Sequence, residues 1–315
     1  GDDLRRRLES LDPHSVQPGL ERIRALLEVL GSPHVAYPTT VICGTNGKGS
    51  TVATICGLLD GLGYRYGCYT TPHIHSYNER IQVNGHIAGD AEIMQSFEKV
   101  EAALGDVSLS YFEFGTLAAF QLLSEQELDF AVMEVGLGGR LDAVNLLDGD
   151  CAVITPIGLD HQEYLGDDLE SIGREKAGII RHGKPVVCGQ ADPPASVLET
   201  ASSRDAPVQC LGRDFLLEQE GDHSVFCIGG QRITLPLPTL RGEHQLSNAA
   251  TGLAALLQLL PQAIDNPAAL SRGLASVELK GRFDRVADHP DVWIDVGHNP
   301  LGAGVIAHAL RKRGA

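Results

Sequence analysis

The chain has 315 residues, 43% of them hydrophobic, enough to bury a sizeable core and, at about 100–200 residues per domain, to form two domains. Its 25 Lys and Arg against 41 Asp and Glu leave a formal charge of −16, which excludes a broad nucleic-acid surface and a patch for anionic membranes. Seven scattered cysteines without a CxxC pair read as reduced core thiols; with no apolar run of about 18 residues and a charged N-terminal stretch in place of a signal peptide, a cytoplasmic location without membrane contact is expected.

From about residue 39 to 190, short β-branched or aromatic runs alternate with longer helical patterns. Strands are predicted at 39–43, 65–69, 130–135, 152–155 and 185–188. Helices are predicted at 51–62, where Val52, Ile55, Cys56, Leu59 and Leu62 share a face, and at 91–104 and 114–123. This order predicts an α/β fold with a mostly parallel sheet covered by helices on both faces. Between 208 and 238, three short segments broken by Gly-Asp and Gly-Gly predict a small antiparallel addition. Helical patterns return at 244–260 and 267–277. A strand at 292–296 and a helix at 300–313 then read as the opening of a second α/β domain, because one βα unit cannot bury its own faces. The expected boundary is near residue 286, giving units 1–286 and 287–315.

The segment Gly44-Thr45-Asn46-Gly47-Lys48-Gly49-Ser50 stands between the first of these strands and the helix after it. A phosphate cradle needs glycines so that backbone N–H groups converge on oxygen, a helix N-terminus with partial positive charge, and a lysine for the outer phosphates. All three are here, yet the general pattern G-x-x-x-x-G-K-[ST] fails twice, at Ile42 and at Gly49. In open α/β sheets ligands gather at the carboxyl ends of strands. Those ends carry Thr71, Glu134 and His161 beside Lys48. Thr71 and Glu134 are oxygen donors of the kind Mg²⁺ prefers while it keeps nucleotide phosphates in its shell; His161 is less typical for a hard cation. A carboxylate closing an apolar strand, as Glu134 does, is costly unless paired or metal-bound. By themselves Lys176, Arg282 and Asp295 read as ordinary surface charges, and Asn248 as a cap or turn residue.

The segments GTNGKGST, YTTPH, SYFEFGTLAAF, MEVGLGGRLDAVN, GLDHQEYLG, REKAGI, GEHQLSNAAT, GRFD and DVGHNP occur in that order. In this they resemble folylpolyglutamate synthase/dihydrofolate synthase of the bifunctional bacterial type, in the Mur-ligase superfamily, over about residues 15 to 300. The resemblance implies a Mur-ligase central-domain fold followed by the start of a Rossmann-like glutamate-ligase domain, which should continue about a hundred residues past Arg313 if it is to reach the usual domain size. It implies an ATP- and Mg²⁺-dependent ligase joining L-glutamate to dihydropteroate or a reduced folate, expected to be monomeric. ATP would be held by Thr45, Asn46, Gly47, Lys48, Gly49 and Ser50, with further contacts from Asn248, Arg282 and Asp295. Magnesium would sit at Thr71, Glu134 and His161, and Lys176 matches a lysine that is carbamylated in relatives. Dihydropteroate would be touched by Ser15, Val16 and Gln17, by Ser110, Tyr111, Phe112 and Glu113, and by Leu141, Asp142 and Ala143. Departures from the family pattern are Thr71 for serine, Val144 for threonine, Gly297 for alanine, and Gln17-Pro18 ahead of GLER; the last bears on the contacts at 15–17.

The implied chemistry is attack of the substrate carboxylate on the γ-phosphorus of ATP, then attack of the glutamate amine on the resulting acyl phosphate. Lys48 and the loop amides would stabilise charge on the transferring phosphoryl group, with His161 and Lys176 serving the metal array. No residue stands out as a covalent nucleophile, which suits catalysis by positioning. Three alternatives stay open at this point: a ligase acting on peptidoglycan precursors, a P-loop kinase or nucleotide switch, and a nucleotide- or pterin-binding module without turnover.

Overall fold

A computed structural model of the protein describes residues 2–9, 19–31, 37–281, 284–289, 291–297 and 299–312. Helices α1 (Asp2–Glu9) and α2 (Glu21–Val29) precede strand β1 (Thr39–Cys43), helix α3 (Lys48–Leu62) and strand β2 (Tyr66–Tyr69). A hairpin of β3 (Ile81–Val83) and β4 (His86–Ile87) follows, then α4 (Asp90–Leu104), α5 (Tyr111–Ser124), β5 (Phe130–Glu134) and β6 (Cys151–Ile154). Next come α6 (Gln162–Leu165), α7 (Leu169–Ala177), β7 (Val186–Cys188), α8 (Ala195–Ser203) and β8 (Val208–Cys210). These strands make one sheet in the order β4-β3-β2-β5-β1-β6-β7-β8. It is parallel from β2 to β8, with β3 and β4 antiparallel at one edge.

Strands β1, β5, β6 and β7 are buried along their whole length. Burial on both faces explains why they read as continuous apolar runs rather than as alternating patterns. Alternation instead divides them between two cores. Val41, Tyr69, Met133, Ala152 and Ile154 join the cluster with Phe97, Phe114 and Phe120 from α4 and α5. Ile42, Cys68, Val132, Val153 and Val187 join the cluster with Ile55 and Leu59 of α3. Full burial of each such side chain stabilises the fold by about 1.5–3 kcal/mol.

The second cluster also takes in Phe215 and Phe226 from a three-stranded antiparallel sheet, β9 (Phe215–Glu220), β10 (His223–Ile228) and β11 (Gln231–Pro236), and the helices α9 (Glu243–Leu259) and α10 (Pro267–Ala275). A two-stranded ribbon, β12 (Asp284–Asp288) and β13 (Asp291–Ile294), leads to α11 (Pro300–Lys312).

The mostly parallel sheet, its two helical layers and the antiparallel addition agree with the fold expected from sequence. Details differ. α3 begins at Lys48 rather than at 51, because Gly47 takes a left-handed conformation (φ 88°) and turns the chain straight into the helix. Residues 208–210 pair with β7 in the main sheet instead of joining the antiparallel unit. Residue 286, the expected boundary, lies inside β12. Among the described residues no helix is long and apolar enough to cross a membrane.

Candidate active site

Two close approaches shape the phosphate loop. A Cβ on Gly44 (φ 147°) would lie 1.8 Å from Thr155 Oγ1, and one on Gly47 would lie 2.4 Å from Asn248 Oδ1. Only glycine fits either position, so the loop is pressed onto β6 on one side and α9 on the other. Thr45 and Asn46 both direct their N–H groups to the Pro156 carbonyl, at 3.0 and 3.4 Å. The Thr45 hydroxyl accepts from Gly158 N–H at 3.0 Å and donates to its carbonyl at 3.1 Å. Backbone amides for an anion therefore come from the start of α3. That helix carries no side-chain cap and no acidic residue in its first turn, and its first N–H groups have no partner within the helix. Lys48 Nζ lies over the loop, donating to the carbonyls of Gly44 and Thr45 at 3.0 and 3.2 Å.

Glu134 is 2% exposed. As the last residue of β5 it pairs with Ile42 of β1, which places it beside the loop, and its Oε2 accepts from Thr71 N–H at 3.1 Å. Thr71, Glu134 and Lys48 line one cleft of about 740 Å³ with Asn46, Gly47, Gly49, Ser50, Asn248 and Asp295. Lys176, in the last turn of α7, is 3% exposed. Burial pushes its ammonium down to about 8, the nearby Lys48 charge lowers it further, and Cys43, Asp160 and Asp142 partly oppose this.

His161 is placed differently. It starts α6 in the left-handed region (φ 48°), its side chain is half exposed, and it is not among the residues lining the cleft. Its N–H donates to Asp160 Oδ1 at 3.0 Å, while Asp160 Oδ2 accepts from Asn299 Nδ2 at 2.9 Å.

The Mur ligase middle domain family matches residues 42–256. The dihydrofolate synthase/folylpolyglutamate synthase of Escherichia coli K12 is 40% identical over 311 residues, covering 98% of this chain and 72% of that protein. Escherichia coli FolC in complex with DHPP and ADP superposes with a TM-score of 0.91 at 39% identity, over 99% of this chain and 74% of that one. A bifunctional folylpolyglutamate synthase/dihydrofolate synthase with Mn, AMPPNP and L-glutamate bound gives 0.85 at 40% identity, over 97% and 73%. The chain belongs to the dihydrofolate synthase/folylpolyglutamate synthase family of Mur ligases. It is therefore an ATP-dependent ligase, and the kinase and nucleotide-switch readings fall away.

The residues of this folate-type ligase fit a magnesium nucleotide. Thr71 and Glu134 offer only oxygen donors and leave the rest of the coordination shell to phosphates and water, the arrangement Mg²⁺ favours. Among the described residues no three His, Cys, Asp or Glu side chains form a metal cluster of their own.

The described residues matched to pteroate lie at the start of α5 and in the loop after β5, with α5 packed on the opposite face of the sheet from α3. Ser110 and Glu113 form a capping box: Ser110 N–H donates to Glu113 Oε2 at 2.7 Å, and Glu113 N–H to Ser110 Oγ at 3.2 Å. Glu113 also forms an ion pair with Arg22. Phe112 packs against Gly136 and lies 6.4 Å from the Tyr69 ring, while Tyr111 stacks edge-on to Tyr77 at 6.1 Å. Asp142 is buried. Burial pushes its carboxyl up to about 6, against N–H donors from Leu137, Val144 and Gly136 that favour the charged form. Ala143 is buried and Leu141 exposed. Ser15, Val16, Gln17 and Arg282 lie outside the described residues.

Sequence reasoning passed over Asn299. Its amide meets that of Asn46 at 2.9 Å in both directions and bonds Asp160, tying the segment after β13 to the phosphate loop. The DVGHNP motif was its only signal. His244 and Gln245, within GEHQLSNAAT, also line the cleft, as does Lys280, which no motif marked.

Proposed function

We propose that the cleft binds ATP with its triphosphate on the N-terminus of α3, and that the α5 face holds dihydropteroate or a reduced folate for glutamylation. The observation carrying this is the uncapped start of α3 under Lys48, with buried Glu134 and Thr71 at the adjoining strand ends. In this reading the substrate carboxylate attacks the γ-phosphorus and ADP leaves. The glutamate amine then attacks the acyl carbon, loses a proton, and phosphate departs. Lys48 and the amides of residues 48–50 stabilise the negative charge that gathers on the transferring group. Thr71 and Glu134, with His161 turned inward, would hold Mg²⁺, which supplies charge neutralisation at the phosphates. Asn248, Arg282 and Asp295 position the nucleotide. The shape of the loop supports this: Gly47 lets Asn248 come close only because it has no side chain.

Lys176 fits carbamylation. Attack on CO₂ needs a neutral amine, and a lysine held near 8 supplies one far more often near neutral pH than an exposed lysine does. The product is an anionic oxygen group within the electrostatic reach of Lys48 and Asp160. Protein equilibrated with bicarbonate should carry an adduct of about 44 Da on Lys176, read by native mass spectrometry because carbamates are acid-labile. The enzyme is taken to act as a cytoplasmic monomer, its buried thiols suiting a reducing compartment.

The deciding experiment measures ATP-dependent glutamate addition with dihydropteroate, a reduced folate and a UDP-muramoyl peptide. Activity on either pteridine substrate is expected; activity on the muramoyl peptide alone would overturn the folate reading. Lys48→Ala should nearly abolish ADP release, and substantial turnover by that variant would remove the cradle role.

A further inference from the structure

We propose that Arg80, framed by His73, Tyr77 and Tyr111, forms a subsite for a carboxylate of the pteroyl or folyl substrate. The inference rests on the folate-ligase reading above and adds to it a residue that neither the sequence motifs nor the phosphate site called for.

Arg80 ends the short 3-10 turn Tyr77–Arg80 and is 8% exposed. Its carbonyl accepts from Thr70 N–H at 2.8 Å, so its backbone adjoins the Thr70–Thr71 edge where Glu134 is bonded. Its side chain goes to the α5 face. Nε donates to His73 Nδ1 at 2.9 Å, and the guanidinium lies 5.2 Å from the Tyr77 ring centre and 5.4 Å from that of Tyr111.

A buried guanidinium is costly without an anion, and aromatic faces offset only part of that cost. The carboxylates of this neighbourhood are committed elsewhere. Glu79, next to it in sequence, accepts from the N–H groups of Ile74, His75 and Ser76 at 2.8–2.9 Å. Glu113 is held by Arg22 and Ser110, and Asp142 by Leu137 and Val144. No carboxylate of a described residue forms an ion pair with Arg80. The His73 ring nitrogen that meets Nε accepts from it and brings no negative charge to the cluster. The Tyr77 hydroxyl is also buried without a hydrogen-bond partner.

The cluster thus presents a planar cation fixed by stacking, with aromatic rings around it and no internal counter-ion. A carboxylate matches the guanidinium fork, and an aryl ring attached to it would meet Tyr77 and Tyr111. Tyr111 adjoins Phe112 in the segment matched to pteroate. Two carboxylates of the same chemistry qualify: the benzoate group of dihydropteroate, which reacts, and the α-carboxylate of the terminal glutamate in a folate, which does not.

The test is equilibrium binding of 7,8-dihydropteroate, dihydrofolate, 6-hydroxymethylpterin (which has no carboxylate) and ADP to the wild-type protein and to Arg80→Gln. Losing a charge-assisted fork should weaken a carboxylate ligand about tenfold or more. Hydroxymethylpterin and ADP should bind as in wild type, which a merely structural role for Arg80 would not predict. Loss for dihydropteroate alone assigns the subsite to the benzoate carboxylate, which is an amide in dihydrofolate; loss for dihydrofolate alone assigns it to the glutamyl group, and loss for both shows that the fork takes whichever carboxylate the ligand carries. If Arg80→Gln does not fold by circular dichroism, Arg80→Lys keeps the charge but not the fork, and the same selective loss is expected. A folded variant binding both carboxylate ligands within about twofold of wild type overturns the proposal and leaves the ligase reading intact. A wild-type protein that binds neither overturns both.

Discussion

Replacing Lys176 by methionine should stabilise the protein at neutral pH while removing its activity. The lysine is 3% exposed, and burial holds its ammonium at about 8 against an ordinary value of 10.5. The sign follows from linkage. Below 8 the ammonium is charged in folded and unfolded chains alike, and the folded state bears the whole desolvation penalty. Between 8 and 10.5 the folded lysine is already neutral while the unfolded one is still charged, so the penalty shrinks as pH rises. A displacement of this size corresponds to about 3 kcal/mol at pH 7, falling to roughly half of that near pH 9.5. Methionine has similar length and no charge, so Lys176→Met should gain an appreciable part of that difference over wild type at pH 7, less at pH 9.5. Urea unfolding in CO₂-free buffer at the two pH values measures it, since carbamylation would otherwise give the lysine a different charge. The variant should lose glutamate ligation under all conditions. A variant less stable than wild type by the same amount at both pH values would show that the ammonium is well satisfied, and the argument for a neutral, CO₂-reactive amine would collapse.

Gly47→Ala puts a Cβ 2.4 Å from Asn248 Oδ1 at a φ of 88°. The left-handed backbone costs about 1–2 kcal/mol, and the displaced Asn248–Gln245 hydrogen bond about 1 kcal/mol more. Calorimetry should show a Tm several degrees lower and ADP titration a weaker Kd; an unchanged pair would mean the loop and α9 are not in contact. Ser110→Ala removes half of the capping box on α5 and should cost about 0.5–2 kcal/mol, with Arg22 still paired to Glu113. Denaturant unfolding checks that directly. Glu134→Gln keeps the shape and removes the charge, so half-maximal ADP formation should need about tenfold more Mg²⁺; the same Mg²⁺ dependence as wild type would exclude Glu134 as a ligand.

The strands were legible because two-sided burial keeps β1, β5, β6 and β7 apolar apart from Thr39, Thr40 and the closing Glu134, and their ends then located Thr71 and Glu134 on one edge. The burial of Lys176 was not. Within Gly-Arg-Glu-Lys it reads as a solvated helix lysine, yet in the fold the Gly139 loop sits directly on the backbone of Glu175 and Lys176. That contact spans two separate motifs and leaves no periodic trace. Ser110 and Glu113 show the reverse case. In the sequence they entered only through the resemblance, as pteroate contacts; in the structure their spacing of three, ahead of an apolar run, forms a capping box.

What sequence could least supply is the coupling between distant segments. Asn299 meets Asn46 across 253 positions and Asp160 across 139. Amide pairs of this kind follow no hydrophobic period, so neither partner marks the other. Their placement nonetheless bears on the chemistry. Asp160 precedes His161 and bonds its N–H, so the orientation of that histidine is set partly through Asn299. Asn46 belongs to the phosphate loop. One buried amide, presented at the start of α11 where its Oδ1 accepts from Gly302 N–H at 2.8 Å, therefore touches both the loop and the residue before the expected third metal ligand. A shift of α11 would move both. The proposed phosphate and metal functions of this ligase thus depend on a segment that contributes no charge to either.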